Sequence, residues 1–197
     1  YMSDDDIVRL LDEIPLLYKV RAFADGIVDG RLFMRLGDPL DAREADLSRA
    51  YLDSLGFPHA EPGLLTSWEE ASEAAEALDF NPEGWEAEEM LRAGLVAQAS
   101  ERLDESAIQT ALEYVGMKAG EAAQDAVAYS ASLGDMRDEA VLNAAAGALV
   151  QAANGAALVI LAEAEDDDPP HAFLARWRLF VRGRWPVGLA GSTYNIL

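Results

Sequence analysis

The sequence predicts a mainly α protein: a single-domain bundle of six or seven helices, with a long central antiparallel pair and a small C-terminal β-hairpin. Apolar residues recur at three- and four-residue spacing through most of the chain's 197 residues. Capping residues and glycines punctuate those periodic runs. The stretch "AVLNAAAGALVQAANGAALVILA", Ala140 to Ala162, holds no charge in a chain that is 26% charged.

The first helix opens at Ser3, an N-cap followed by Asp4, Asp5 and Asp6, acids that the helix dipole favours in a first turn. Ile7, Leu10, Leu11 and Ile14 form its apolar face. Pro15 then kinks or restarts it. "ADGIVDGRLFMRLGDP" carries turn chemistry and reads as a helix end plus loop, with an Asp29-Gly30 hairpin as the competing reading. A helix follows from about Pro39 to Leu55, stopped by Gly56. "EPGLL" reads as loop.

Ser67 caps the next helix, with Glu70 at the capping-box position. Asn81-Pro82 opens another, which runs to about Arg102. Asp104 caps a helix reaching Leu133, Gly134 stops it, and Asp135 starts the long apolar one. Gly116, Ala119, Gly120, Ala123 and Ala126 let that pair of helices approach closely, so residues 105 to 164 form the central hairpin.

The apolar stretch is long enough to cross a bilayer. Its alanine and glycine content contributes little to insertion, and Asn143, Gln151 and Asn154 oppose it. A core helix is therefore expected. At 100° per residue these three amides and Gly147 share one stripe, opposite Val141, Leu142, Leu149, Val159 and Ile160. Buried amides need partners. The seam is expected to bond to the preceding helix and fix its register, with a subunit contact or a pocket as alternatives.

Fifteen basic residues against 36 acidic ones give a net charge of −21, and only two of the basic ones are lysines. Such a surface disfavours nucleic acid and anionic membranes as partners. It fits adaptation to concentrated salt, as in a halophile, or a basic protein partner. The asymmetry along the chain is sharper. Residues 1–168 form an acidic helical bundle carrying 11 basic and 36 acidic residues, whereas 169–197 carry four arginines and no acid. That tail reads as a helix plus a β-hairpin docked on the same domain. Arg178, Arg182, Arg184 and Trp185 resemble an anion- or partner-binding patch in composition. The expected reading is that the tail's apolar side docks on the core and its arginines pair with the acidic body, with the patch or a subunit contact as alternatives.

With no cysteine, disulfides, thiolate metal sites and cysteine nucleophiles are excluded. "YMSDDDIVRL" is acidic where a secretion signal needs positive charge, so a cytoplasmic location is expected. No phosphate loop, GxGxxG or HExxH occurs, and the two histidines, His59 and His171, stand beside prolines in loops. One carboxylate arrangement suggests chemistry. Glu70-x-x-Glu73 and Glu101-x-x-Asp104 could together hold Mg2+ and activate water against a pyrophosphate. The expected function is a non-enzymatic protein-interaction or regulatory module, which could be a homo-oligomer and needs no cofactor. The alternative is a Mg2+-dependent, all-helical hydrolase resembling nucleotide pyrophosphatases in this spacing alone.

Overall fold

The computed structural model describes residues 4–76, 81–166 and 168–197. The Ser3 cap, the end of the helix after Ser67 and part of the run Asp166 to Asp168 lie outside the described residues. Eight α-helices and three short strands are present among the described ones. They are α1 (Asp4–Glu13), α2 (Pro15–Asp25), α3 (Ala42–Ser54), α4 (Trp68–Glu76), α5 (Pro82–Ala99), α6 (Glu105–Leu133), α7 (Glu139–Leu161) and α8 (Ala172–Val181). The strands are β1 (Glu61–Leu64), β2 (Pro186–Ala190) and β3 (Thr193–Ile196). Eight helices replace the expected six or seven because Pro15 restarts the first one. It occupies the first position of α2, where its missing N–H costs nothing, after an extended Ile14.

The other helix starts follow their caps. The Asp104 side chain accepts from the Ala107 amide at 2.7 Å, and Asn81 accepts from Gly84 at 3.1 Å. Glu70 differs in detail from a capping box. Its amide bonds to Ser67 Oγ, but its carboxylate reaches Thr66 rather than the Ser67 backbone. Helix α7 begins at Asp138, not Asp135, since Asp135 adopts a left-handed φ of 51° and the Asp138 carboxylate takes the capping role.

Helices α6 and α7 pack against each other as the central pair, with α2 across both, α5 against α7, and α8 against α7 and α3. By length and composition α7 could cross a bilayer, yet 61% of its most apolar window is buried inside the protein. Its C-terminal end, from Gly155 to Leu161, is buried all round. Gly155 is what lets α8 approach: a Cβ there would lie 3.3 Å from the Phe173 ring.

The Asp29-Gly30 hairpin does not form. A short 3₁₀ turn, Ile27–Asp29, follows α2, and the Gly30 amide closes back onto the Ile27 carbonyl. The Arg31 and Arg35 amides instead bond to the Val181 and Gly183 carbonyls, tying this loop to the end of α8. The C-terminal hairpin β2–β3 does form and gains a third strand, β1, parallel to β3, in the order β1-β3-β2. The segment "EPGLL" read as loop because Pro62 and Gly63 both disfavour strands. An edge position tolerates them. Gly63 is required there, since a Cβ would meet the Thr193 methyl at 2.6 Å.

Candidate functional site

The basic tail does not form a patch of arginines and tryptophan. Arg184 and Trp185 are fully buried. Arg184 closes on Glu44, whose Oε1 accepts from Nε at 3.1 Å and whose Oε2 accepts from Nη2 at 3.0 Å. Its remaining donors go to the carbonyls of Arg35, Asp38 and Pro39. All five guanidinium hydrogens are thereby used. Glu44 also accepts from Arg35 and from the Asp41 amide, completing a capping box at the start of α3. Burial pushes its carboxyl pKa up. The Arg184 and Asp41 hydrogen bonds and the charges of Arg184 and Arg35 outweigh this and hold it below its ordinary value. Trp185 packs on Trp68 with ring centroids 5.7 Å apart. Arg182 pairs with Asp41, and Arg178 and Arg182 line a separate cleft.

The four carboxylates considered for magnesium do not meet. Helix α4 starts beside the C-terminus of α6, where Trp68 lies against Gly134. Asp104 caps the N-terminus of that same 29-residue helix, so Glu70 and Glu101 are separated by roughly 40 Å. Asp104 is also committed to its cap, and Glu70 to Thr66. Among the described residues no group of three metal-ligating side chains gathers.

The polar seam of α7 is covered only at its Asn154 end. Asn143, Gly147 and Gln151 are exposed and Asn154 is half-buried. The bonds expected to the preceding helix are therefore absent from the exposed pair, because water satisfies amides that no helix covers. Asn154 sits against α6 at Gly116, in a shallow cleft. Gln151 lines a different pocket.

That second pocket is where chemistry-bearing side chains gather. Its volume is about 380 Å³, between α3, α5, α8 and the hairpin. Leu55, Trp85, Phe180, Val187 and Leu189 supply apolar wall, and Tyr51, Glu88, Gln151, Arg176 and Tyr194 supply polar groups. The elements explain the convergence. Tyr51 lies on the buried face of α3, Glu88 on α5, Arg176 on α8, and Tyr194 points inward from β3, whose buried residues alternate as Tyr194 and Ile196. The Tyr51 and Tyr194 rings stack at 4.9 Å with 18° between planes.

Glu88 Oε1 accepts from Arg176 Nη1 at 2.9 Å and from the Tyr51 hydroxyl. The guanidinium also lies over the Phe173 and Tyr51 rings. On the residues lining this pocket, three buried polar groups have no such partner among the described residues: Arg176 Nε, Arg176 Nη2 and the Tyr194 hydroxyl. Nε and Nη2 form one edge of the guanidinium, the edge that binds an acceptor side-on. Burial, above all, drives the Tyr51 and Tyr194 hydroxyls well above their ordinary pKa, with Arg176 pulling the other way. Both phenols therefore stay protonated. Burial lowers the Arg176 pKa, but Tyr51, Glu88 and Tyr194 more than offset this.

Sequence reasoning missed Glu44, Glu88, Tyr51 and Tyr194. Asp41-x-x-Glu44 is a readable capping box, so Glu44 had a local signal. The other three lie on three elements far apart in sequence, and no spacing links them. No protein-family model matches the chain, and neither a curated protein nor a solved structure matches it.

Proposed function

We propose that the protein is a non-enzymatic regulatory module that binds a small, uncharged, carbonyl-bearing ligand between α3, α5, α8 and the hairpin. One observation carries this reading: three buried polar groups without partners belong to residues lining an apolar-walled pocket. Leaving such a group unpaired costs about 1–3 kcal/mol, so a ligand oxygen that satisfies it is rewarded. Pockets of this size with a few convergent polar groups are the usual form of small-molecule sites.

The charge balance selects the ligand. Glu88 already neutralises Arg176. A carboxylate ligand would leave one uncompensated negative charge in a desolvated place, which is costly. The chain's net charge of −21 also repels anions at long range. A carbonyl oxygen offers lone pairs to the guanidinium edge and the Tyr194 hydroxyl without adding charge. Its apolar body rests on Leu55, Phe180 and Leu189.

Calorimetric titration with 4-phenylbutanamide and its isostere 4-phenylbutanoate tests the reading. The amide binds, the carboxylate binds at least tenfold more weakly, and Tyr194→Phe weakens the amide by about 5–30-fold. Leu189→Trp, which fills the pocket from its rim, abolishes binding. Equal affinity for both compounds, or an unchanged affinity in Tyr194→Phe, sinks the proposal.

A further inference from the structure

Trp85 differs from the chain's other tryptophans. Trp68, Trp177 and Trp185 are buried, and each meets another aromatic ring. Trp85 is 58% exposed and meets no other ring among the described residues. It nevertheless lines the ligand pocket, from the first turns of α5 and three residues ahead of Glu88. That spacing puts Trp85 and Glu88 on one face of the helix. Pro82 and the Asn81 cap fix where α5 begins, so both side chains are presented by a rigid element. The pocket therefore carries an unstacked indole at its rim and an ion pair within.

The polar groups in the pocket include an acceptor as well as donors. Glu88 Oε1 takes the bonds from Arg176 and Tyr51, and Oε2 accepts from none of the described residues. Arg176 Nε, Arg176 Nη2 and the Tyr194 hydroxyl are the donors without partners. Because Glu88 and Arg176 neutralise each other, they offer a ligand no net charge. What they offer is a donor edge beside an acceptor.

Resting on the carbonyl-ligand site proposed above, we infer that its ligand is a planar aromatic lactam. The ring carbonyl accepts from the Arg176 edge and the Tyr194 hydroxyl, the adjacent N–H donates to Glu88 Oε2, and the ring lies against Trp85. A lactam locks its carbonyl and N–H on the same side, about as far apart as the two oxygens of a carboxylate. Such a rigid group loses little freedom on binding. An ester ring of the same shape would set an oxygen lone pair against Oε2, leaving that carboxylate oxygen unpaired. A saturated lactam would keep the polar edge but give the indole no aromatic face to stack on. A phosphorylated ring is disfavoured, since its charge meets a chain of net charge −21.

The probes are 2-quinolinone, coumarin, which has the same two rings with oxygen in place of the N–H, and 2-piperidinone, a lactam without the aromatic plane. Calorimetric titration of the full chain is expected to show binding of 2-quinolinone. Coumarin binds at least about tenfold more weakly, and 2-piperidinone at least about fivefold more weakly. Trp85→Ala weakens 2-quinolinone about fivefold or more. Alanine suits an exposed helix position, so circular dichroism stays unchanged in that variant. Coumarin or 2-piperidinone binding as tightly as 2-quinolinone, or an unchanged affinity in Trp85→Ala, overturns the inference. 4-Phenylbutanamide, titrated alongside, separates the two levels. If it binds and 2-quinolinone does not, the lactam assignment fails while the carbonyl site stands. If neither binds, both fall.

Discussion

Glu44 and Arg184, 140 residues apart, form a side-on ion pair in which both side chains are fully buried. Three backbone carbonyls complete the shell around the arginine, so the pair fastens the loop 35–39 to the start of the hairpin. Removing one partner of such a pair leaves a buried charge without compensation. Glu44→Gln is expected to lower unfolding free energy by about 3–5 kcal/mol in urea titrations. Arg184→Met is expected to cost at least as much, because it also orphans three carbonyls. A double substitution should not recover the loss. Full recovery in the double variant would show that the carbonyl contacts contribute nothing.

The same pair sets the acid limit. The Glu44 pKa is lowered on folding from its ordinary 4.5, so the unfolded chain binds the proton more readily. Its contribution is complete above pH 4.5 and is lost as pH falls through the lowered value. Wild-type stability should decline more steeply below pH 4.5 than that of Glu44→Gln. Parallel curves from urea melts at pH 3 to 6 would contradict this.

His171 acts earlier in an acid titration. Its Nδ1 accepts the Phe173 amide at 3.1 Å, capping α8, and burial lowers its pKa from 6.5. Protonation removes that acceptor. Stability is therefore full above pH 6.5 and falls as pH drops through the lowered pKa. His171→Asn keeps a cap that does not titrate and should flatten this step. His171→Ala should cost about 1 kcal/mol at pH 8. A melting temperature independent of pH between 7 and 5 in the wild type would refute the cap's role.

Gly134 is where α4 meets the central helix pair. A Cβ there would stand 2.8 Å from Trp68 Cδ1, and Trp68 in turn packs on Trp185. Gly134→Ala should lower stability by about 1–3 kcal/mol by displacing that ring. Near-ultraviolet circular dichroism should change with it. Stability equal to or above wild type would mean that α4 moves freely.

The net charge of −21 predicts a response to salt. Screening removes repulsion among 36 acids faster than it weakens the fewer ion pairs. Between 0.05 and 2 M KCl the melting temperature should rise by at least about 4 °C, equivalent to about 1–2 kcal/mol for a chain of this size. A fall would show that ion pairs outweigh repulsion.

The helices were legible because their signals are local. Asp104 and Gly134 bracket α6, and the charge-free run marks α7 as core. The wheel put Asn143, Gln151 and Asn154 on one stripe, whereas in the fold Asn154 meets α6 and Gln151 lines the pocket beside α8. It could not say which of them would be covered, because covering depends on where α5 and α6 come to lie. Strand β1 was hidden by Pro62 and Gly63, whose intrinsic preferences the neighbouring β3 overrides. The arginines of the tail announced pairing with acids, but choosing Glu44 from 36 carboxylates is a tertiary event. The ligand pocket was illegible for the same reason: Tyr51, Glu88, Arg176 and Tyr194 share no segment.

The distance in sequence between Glu44 and Arg184 also orders the birth of the protein. While the ribosome is still adding residues before 184, the nascent chain holds a carboxylate at the head of α3 that must remain hydrated. The loop ahead of α3 stays unfastened and the sheet lacks its middle strand. Helices can form during synthesis, since their bonds are local, but the closing step waits until Arg184 and strand β3 have been added. Fragments released before that point would carry an open core, the form that chaperones and proteases recognise.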